Sequence, residues 1–197
     1  ITASLDFTTN GVTRSVVLSA TGQNVRRLSG VTFSESTSLT AERPYQIYDS
    51  IVVAPEATLT IPAGTTLHFH DKAMLIVRGR LVCEGTAEAP VNMCGDRTGN
   101  VVGDISFDIM SNQWTGVFFT DGSKGNLISQ TDIRNTRQGV TADGAELTIV
   151  NSRLHNSGGN ILEAYHSRIR ALGSEFAEAG GGLVYLQGGE HEFSGCT

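Results

Sequence analysis

From Ile51 onward the apolar residues of this chain come in pairs two positions apart, the spacing that turns both side chains to one face of a β-strand. The pairs recur. Ile51/Val53 is followed by Leu75/Val77, Leu59/Ile61 by Leu81/Cys83, and Leu67/Phe69 by Val91/Met93, at separations of about 22 to 24 residues, the range in which stacked repeats are found. After an irregular stretch at 95–113 the period returns at about 21 or 22 residues: Val140, Ile161, Leu183; Leu147, Ile169, His191; Ile149, Ala171, Phe193; Leu154, Phe176. Three short strands per coil, with each coil stacked about 4.8 Å on the last, satisfy this pattern. The fold class it predicts is all-β: a right-handed parallel β-helix of about five to six coils spanning 47–197, with an insertion at 95–113 and a last coil cut short at Thr197.

The outward positions test the same register. Glu146, Arg168 and Glu190 fall one above another, as do Thr148, Arg170 and Glu192, and Arg153 sits one coil before Glu175. Opposite charges on adjacent strands attract, so the register produces ladders of alternating sign. One segment competes with it: Ile161, Tyr165, Ile169, Leu172 and Phe176 also match the spacing of an amphipathic helix between Gly158-Gly159 and Gly180-Gly181-Gly182. The alignment of its neighbours argues for strand.

Before the repeats, residues 1–22 alternate about Asn10-Gly11, with Leu5 and Phe7 on one side and Val16, Leu18 and Ala20 on the other, the mark of a two-residue hairpin. An isolated hairpin is marginal in water, so it is expected to be the closing strands of a truncated sandwich. Residues 23–46, rich in Ser and Thr and holding Pro44, read as a linker.

Composition narrows the function classes. The 23 glycines and 4 prolines among 197 residues suit many turns between short strands. A net charge of -6, with only Lys72 and Lys124 beside the arginines, leaves no basic stripe for a nucleic-acid backbone. No apolar run reaches the roughly 18 residues of a membrane span. Three cysteines, Cys83, Cys94 and Cys196, match neither a disulfide framework nor a standard zinc spacing; alternation turns Cys83 inward and puts Cys94 at a turn.

The stretch from Ile51 to Phe69, with Ala57-Thr-Leu-Thr-Ile and Ala63-Gly-Thr, followed by Leu75 to Thr86, resembles the opening coils of parallel β-helix proteins of Bacteroidota-type cell surfaces. Ala63 stands where that pattern commonly has Pro. The stretch from Val16 to Asn24 is similar to the last strand of an immunoglobulin-like module that often precedes such helices. The resemblance implies an extracytoplasmic location, cell surface or secreted, with any signal or lipid anchor upstream of Ile1. It also implies a binding or scaffold role that engages glycans, or, as the alternative, a polysaccharide lyase or glycoside hydrolase whose catalytic coils lie mostly downstream.

Two groups of residues are candidates for chemistry. His68, His70 and Asp71 form an H-x-H-D cluster whose imidazoles share the outer face; with ligands from the next coil, at Asn92 and Cys94, it could hold a metal. In the insertion, Asp96, Asp104 and Asp108 are candidate calcium ligands or acid/base groups, and Trp114 a candidate sugar platform. The competing reading has Trp114 covering the core and the insertion's apolar residues packing on the coils. Glu190 and Glu192 have a spacing that suits a glycosidase pair, about 7 Å along a strand, but their arginine ladders account for both.

Overall fold

The computed structural model describes residues 2–19 and 24–197. Strands Thr2–Thr9 and Val12–Ser19 form the expected antiparallel hairpin, with Leu5 opposite Val16 and a turn at Asn10 (φ 52°) and Gly11 (φ 75°). Both turn residues need positive φ, which Asn and Gly adopt most readily. Leu5, Phe7, Val16 and Leu18 are all exposed, so a surface that covers this apolar face is not found among the described residues. The strand position expected for Ala20 lies outside them.

The rest is a parallel β-solenoid of about 8 turns, more than the five to six expected. Its strands line three faces. On the first, Ile51, Leu75, Val117, Val140, Leu162 and Val184 stack in register. On the second, Cys83, Ile128, Ile149, Ala171 and Phe193 do the same. On the third the column is Tyr45, Leu67, Met93, Ile133, Leu154 and Phe176. Nearly all of these side chains are fully buried, each contributing on the order of 1.5–3 kcal/mol. Strand Leu162–Leu172 spans the segment with helical spacing, and Arg168 lies between Glu146 and Glu190, so the strand reading holds.

Three sequence expectations are corrected. The described part of the expected linker 23–46, from Asn24 onward, is not a linker: strands Arg26–Phe33 and Thr37–Ser38 pair with Tyr45–Val53 and Thr58–Pro62 and form the first coil. Gly30, at φ 60°, shifts the register there and separates Leu28 from Val31 by three residues instead of two, which hides the alternation. On the third face Leu67 pairs with Met93 and Phe69 with Gly95, two residues from the expected alignment, because the connection 85–90 is longer than its counterpart below. Sliding by two keeps every side chain on its face, so the apolar pattern is blind to it. On the first face Val140 pairs with Leu162, not Ile161.

Candidate functional site

The corrected register sets the chemistry of the third face. Cys94, not at a turn but within strand Val91–Gly95, lies over His68, with Sγ 3.4 Å from His68 Nδ1. Asp96 follows over His70, and its Oδ2 is 2.7 Å from His70 Nδ1. Gln46 donates to the same oxygen from the coil below at 3.3 Å. Asp71 turns away to Arg137, which donates to it at 2.6 Å, and this hydrogen bond holds the Asp71 carboxyl below the usual carboxylate range. His68, His70 and Asp71 therefore face different partners. Among the described residues no three His, Cys, Asp or Glu side chains converge as a metal site. All three cysteines are free thiols. Burial pushes Cys83 up to about 12 and Cys94 up to about 11, so neither is a thiolate nucleophile at neutral pH.

The excursion at 95–113 is a small hairpin, Asn100–Val102 with Ile105–Ser106, and one 3-10 turn, Phe107–Ile109, whose start is capped by Ser106 Oγ accepting from Asp108 N. Its apolar residues do not pack on the coils as the competing reading required: Val102 and Ile109 are 67% and 68% exposed. Polar groups dock it instead. Asn135 Nδ2 donates to Asp108 O at 2.6 Å and to Met110 O at 3.1 Å, and Asn156 Nδ2 donates to Asp108 O at 3.1 Å. The Asp108 side chain accepts from Arg134 Nε at 2.8 Å.

Arg134 is the centre of a wider cluster. It also donates to Asp132 at 2.7 Å, and Asp132 Oδ2 lies 3.3 Å from His155 Nε2, near enough for ion-pair attraction but off-line for a hydrogen bond. His155 Nδ1 is 3.2 Å from Glu178. Burial resists charging His155, yet Asp132 and then Glu178 outweigh it, and the imidazole pKa is raised. Burial likewise opposes ionising Asp132, but His155 and Arg134 prevail and its pKa is lowered. Arg134 is held firmly charged.

Trp114 is fully buried. Its ring stacks on Phe69 with centroids 4.0 Å apart, and Nε1 donates to Arg134 O at 2.7 Å. It is a core residue where the coils resume, so it offers no platform for a sugar. Asp96, Asp104 and Asp108 are not brought together: Asp96 serves His70, Asp108 serves Arg134, and Asp104 stands exposed at the hairpin tip. Calcium finds no shared ligand set in them. Glu190 and Glu192 are each 3.0 Å from their arginines, as the ladders required.

Between excursion and coils lies a recess of about 270 Å³ lined by His70, Asp71, Asp96, Arg97, Phe107, Met110, Asn112, Gln113 and Arg137. Arg97 stacks over the Phe107 ring at 5.3 Å. Arg97, Arg137 and Phe107 were not singled out from sequence; Arg137 meets Asp71 across 66 residues, a pairing that only the coil register could have brought to light. Among the described residues no helix is long and apolar enough to cross a membrane. No protein-family model matches the chain, and comparison with curated proteins and with solved structures gave no match.

Proposed function

We propose that the chain is a binding or scaffold protein of the cell surface or extracellular space, and that it holds a saccharide in the recess between the 95–113 excursion and the third face. The observation that carries this reading is the state of the polar groups there. His70 is committed to Asp96 and Asp71 to Arg137, so the recess offers fixed hydrogen-bonding edges and one aromatic ring, with no free carboxylate pair for acid/base work. Hydroxyl groups suit such edges, and Phe107 with Met110 supplies the apolar side that a sugar ring also needs.

A glycan array on the purified chain tests the reading, with Arg97→Ala and Arg137→Gln as variants. Binding of a defined glycan that both variants weaken by about tenfold supports it. Binding that neither variant alters, or none at all, overturns the recess assignment. Release of products from polysaccharides, with or without calcium, would favour a degrading enzyme instead.

A further inference from the structure

The corner between the first and second faces carries a second feature, and turn length creates it. Between strands Met74–Val77 and Arg80–Glu84 the chain turns in two residues, Arg78 and Gly79. The coil below spends 54–57 on the same turn, and the coil above spends 120–125. A short turn between two longer ones leaves a notch, and this one has a volume of about 510 Å³. Its floor is tightly built. A Cβ at Gly79 would lie 2.2 Å from Ala54 O and 2.3 Å from Ala57 O, and Ser123 Oγ donates to Gly79 O at 2.7 Å, tying floor to wall.

The notch is lined by cations. Arg78 and Arg80 rise from the floor and Lys124 stands on one wall, against Glu56 and Asp121. Arg80 is anchored through Nε to Gly125 O at 2.8 Å. None of the three joins an ion pair among the described residues, although the chain as a whole is acidic and the arginines of the solenoid ladders are paired. Three cations left with spare donors in one recess form a receptor for an oxyanion. Lys124 also borders a second recess of about 270 Å³ further along the same corner, where Glu146 and Glu190 stand beside His166 and Arg168. The depression therefore continues across successive coils, which suits a chain-like ligand better than a single ion.

From this geometry we infer that the corner binds an acidic polysaccharide through its carboxylate or sulfate groups, with Arg78 and Lys124 as the contacting cations and Arg80 as a fixed third. Three cations on an acidic surface are too few to follow a nucleic-acid backbone. The inference stands on the notch and is independent of the excursion's recess.

Fluorescence polarisation with four labelled oligomers of equal length tests it: polygalacturonate for the carboxylate, dextran sulfate for the sulfate ester, neutral dextran, and single-stranded DNA. The expected result is binding of at least one acidic glycan, weakened by added salt, with neutral dextran silent. The double variant Arg78→Gln/Lys124→Gln should lose about tenfold or more in affinity, and Asp121→Asn should gain about threefold. All three substitutions lie on exposed side chains, and unchanged thermal unfolding confirms that the variants fold. Asp96→Asn, in the other recess, should leave this binding unchanged. Equal affinity of wild type and double variant, no binding of either acidic glycan, or tighter binding of DNA than of both overturns the inference.

Discussion

Two sets of ion pairs stand on the outer faces of this solenoid, and they differ in how they reach their partners and in what lies over them. On the second face, Arg168 with Glu190 and Arg170 with Glu192 reach across adjacent strands in open solvent, with every side chain more than half exposed. On the third face, Asp132, Arg134 and His155 occupy equivalent outward positions, but the 95–113 excursion and its Asp108 partly shield them, leaving Arg134 20% and His155 10% exposed. Water screens the first set and weakens it. The second set trades hydration for several partners each, so removing one member leaves the others charged and incompletely solvated. A single alphabet of outward Arg, Asp and Glu thus gives a soluble surface in one place and a fastener for a loop in the other.

Removing what lies beneath the fastener should cost most. Trp114→Ala takes away the ring stacked on Phe69 and the donor to Arg134 O, and urea unfolding should show a loss of about 4 kcal/mol. Arg134→Ala leaves Asp108 and Asp132 without their shared cation. It should cost about 2–3 kcal/mol, since the site is only partly shielded, and hydrogen exchange at 96–113 should rise while that at 162–172 stays level. Equal effects on the two segments would erase the distinction.

Titration sharpens the contrast. The raised pKa of His155 means that its contribution is full below the unfolded value of about 6.5 and fades as pH rises through the higher folded value. The lowered pKa of Asp132 means that its contribution is present above about 3.8 and lost as pH falls through its folded value. The stability difference between wild type and His155→Asn should therefore be greatest in the weakly acidic range and shrink towards pH 8; a difference flat across that range would contradict the arrangement. Smallest of all, Arg168→Ala on the open ladder should change unfolding by no more than about 0.5 kcal/mol, and 0.5 M salt should remove even that.

The open ladder was legible in the sequence and the shielded cluster was not, for one physical reason. Glu146, Arg168 and Glu190 are spaced by a constant step, so counting along the chain places them. Arg134 lies beside Cys94 and bonds Asp108 only after the excursion at 95–113 has added residues that no periodicity records. The apolar column survived these interruptions because any slide by two residues returns an inward position to the interior. Polar partners have no such tolerance: the same slide moved the expected neighbour of His70 from Asp96 to Cys94 and suggested a metal site that the molecule does not assemble. At Arg26–Phe33 a single left-handed Gly30 disguised a coil as a linker, whereas in Leu162–Leu172, which carries the same kind of break at His166 (φ 49°), the alignment of the neighbouring coils outweighed a helical spacing. The notch at Gly79 was out of reach for a different reason, since it depends on three turn lengths compared across coils.

The stacking of equivalent residues 22 positions apart also governs how the molecule would respond to force. Each coil advances the axis by only about 4.8 Å, yet its chain, drawn straight, extends to roughly 70 Å. Tension applied at the two ends would peel coils in succession, and every small rupture would release a long tether. At the excursion the peeling front meets Asp108, held by Asn135, Arg134 and Asn156 from two consecutive coils at once, and there extension should pause.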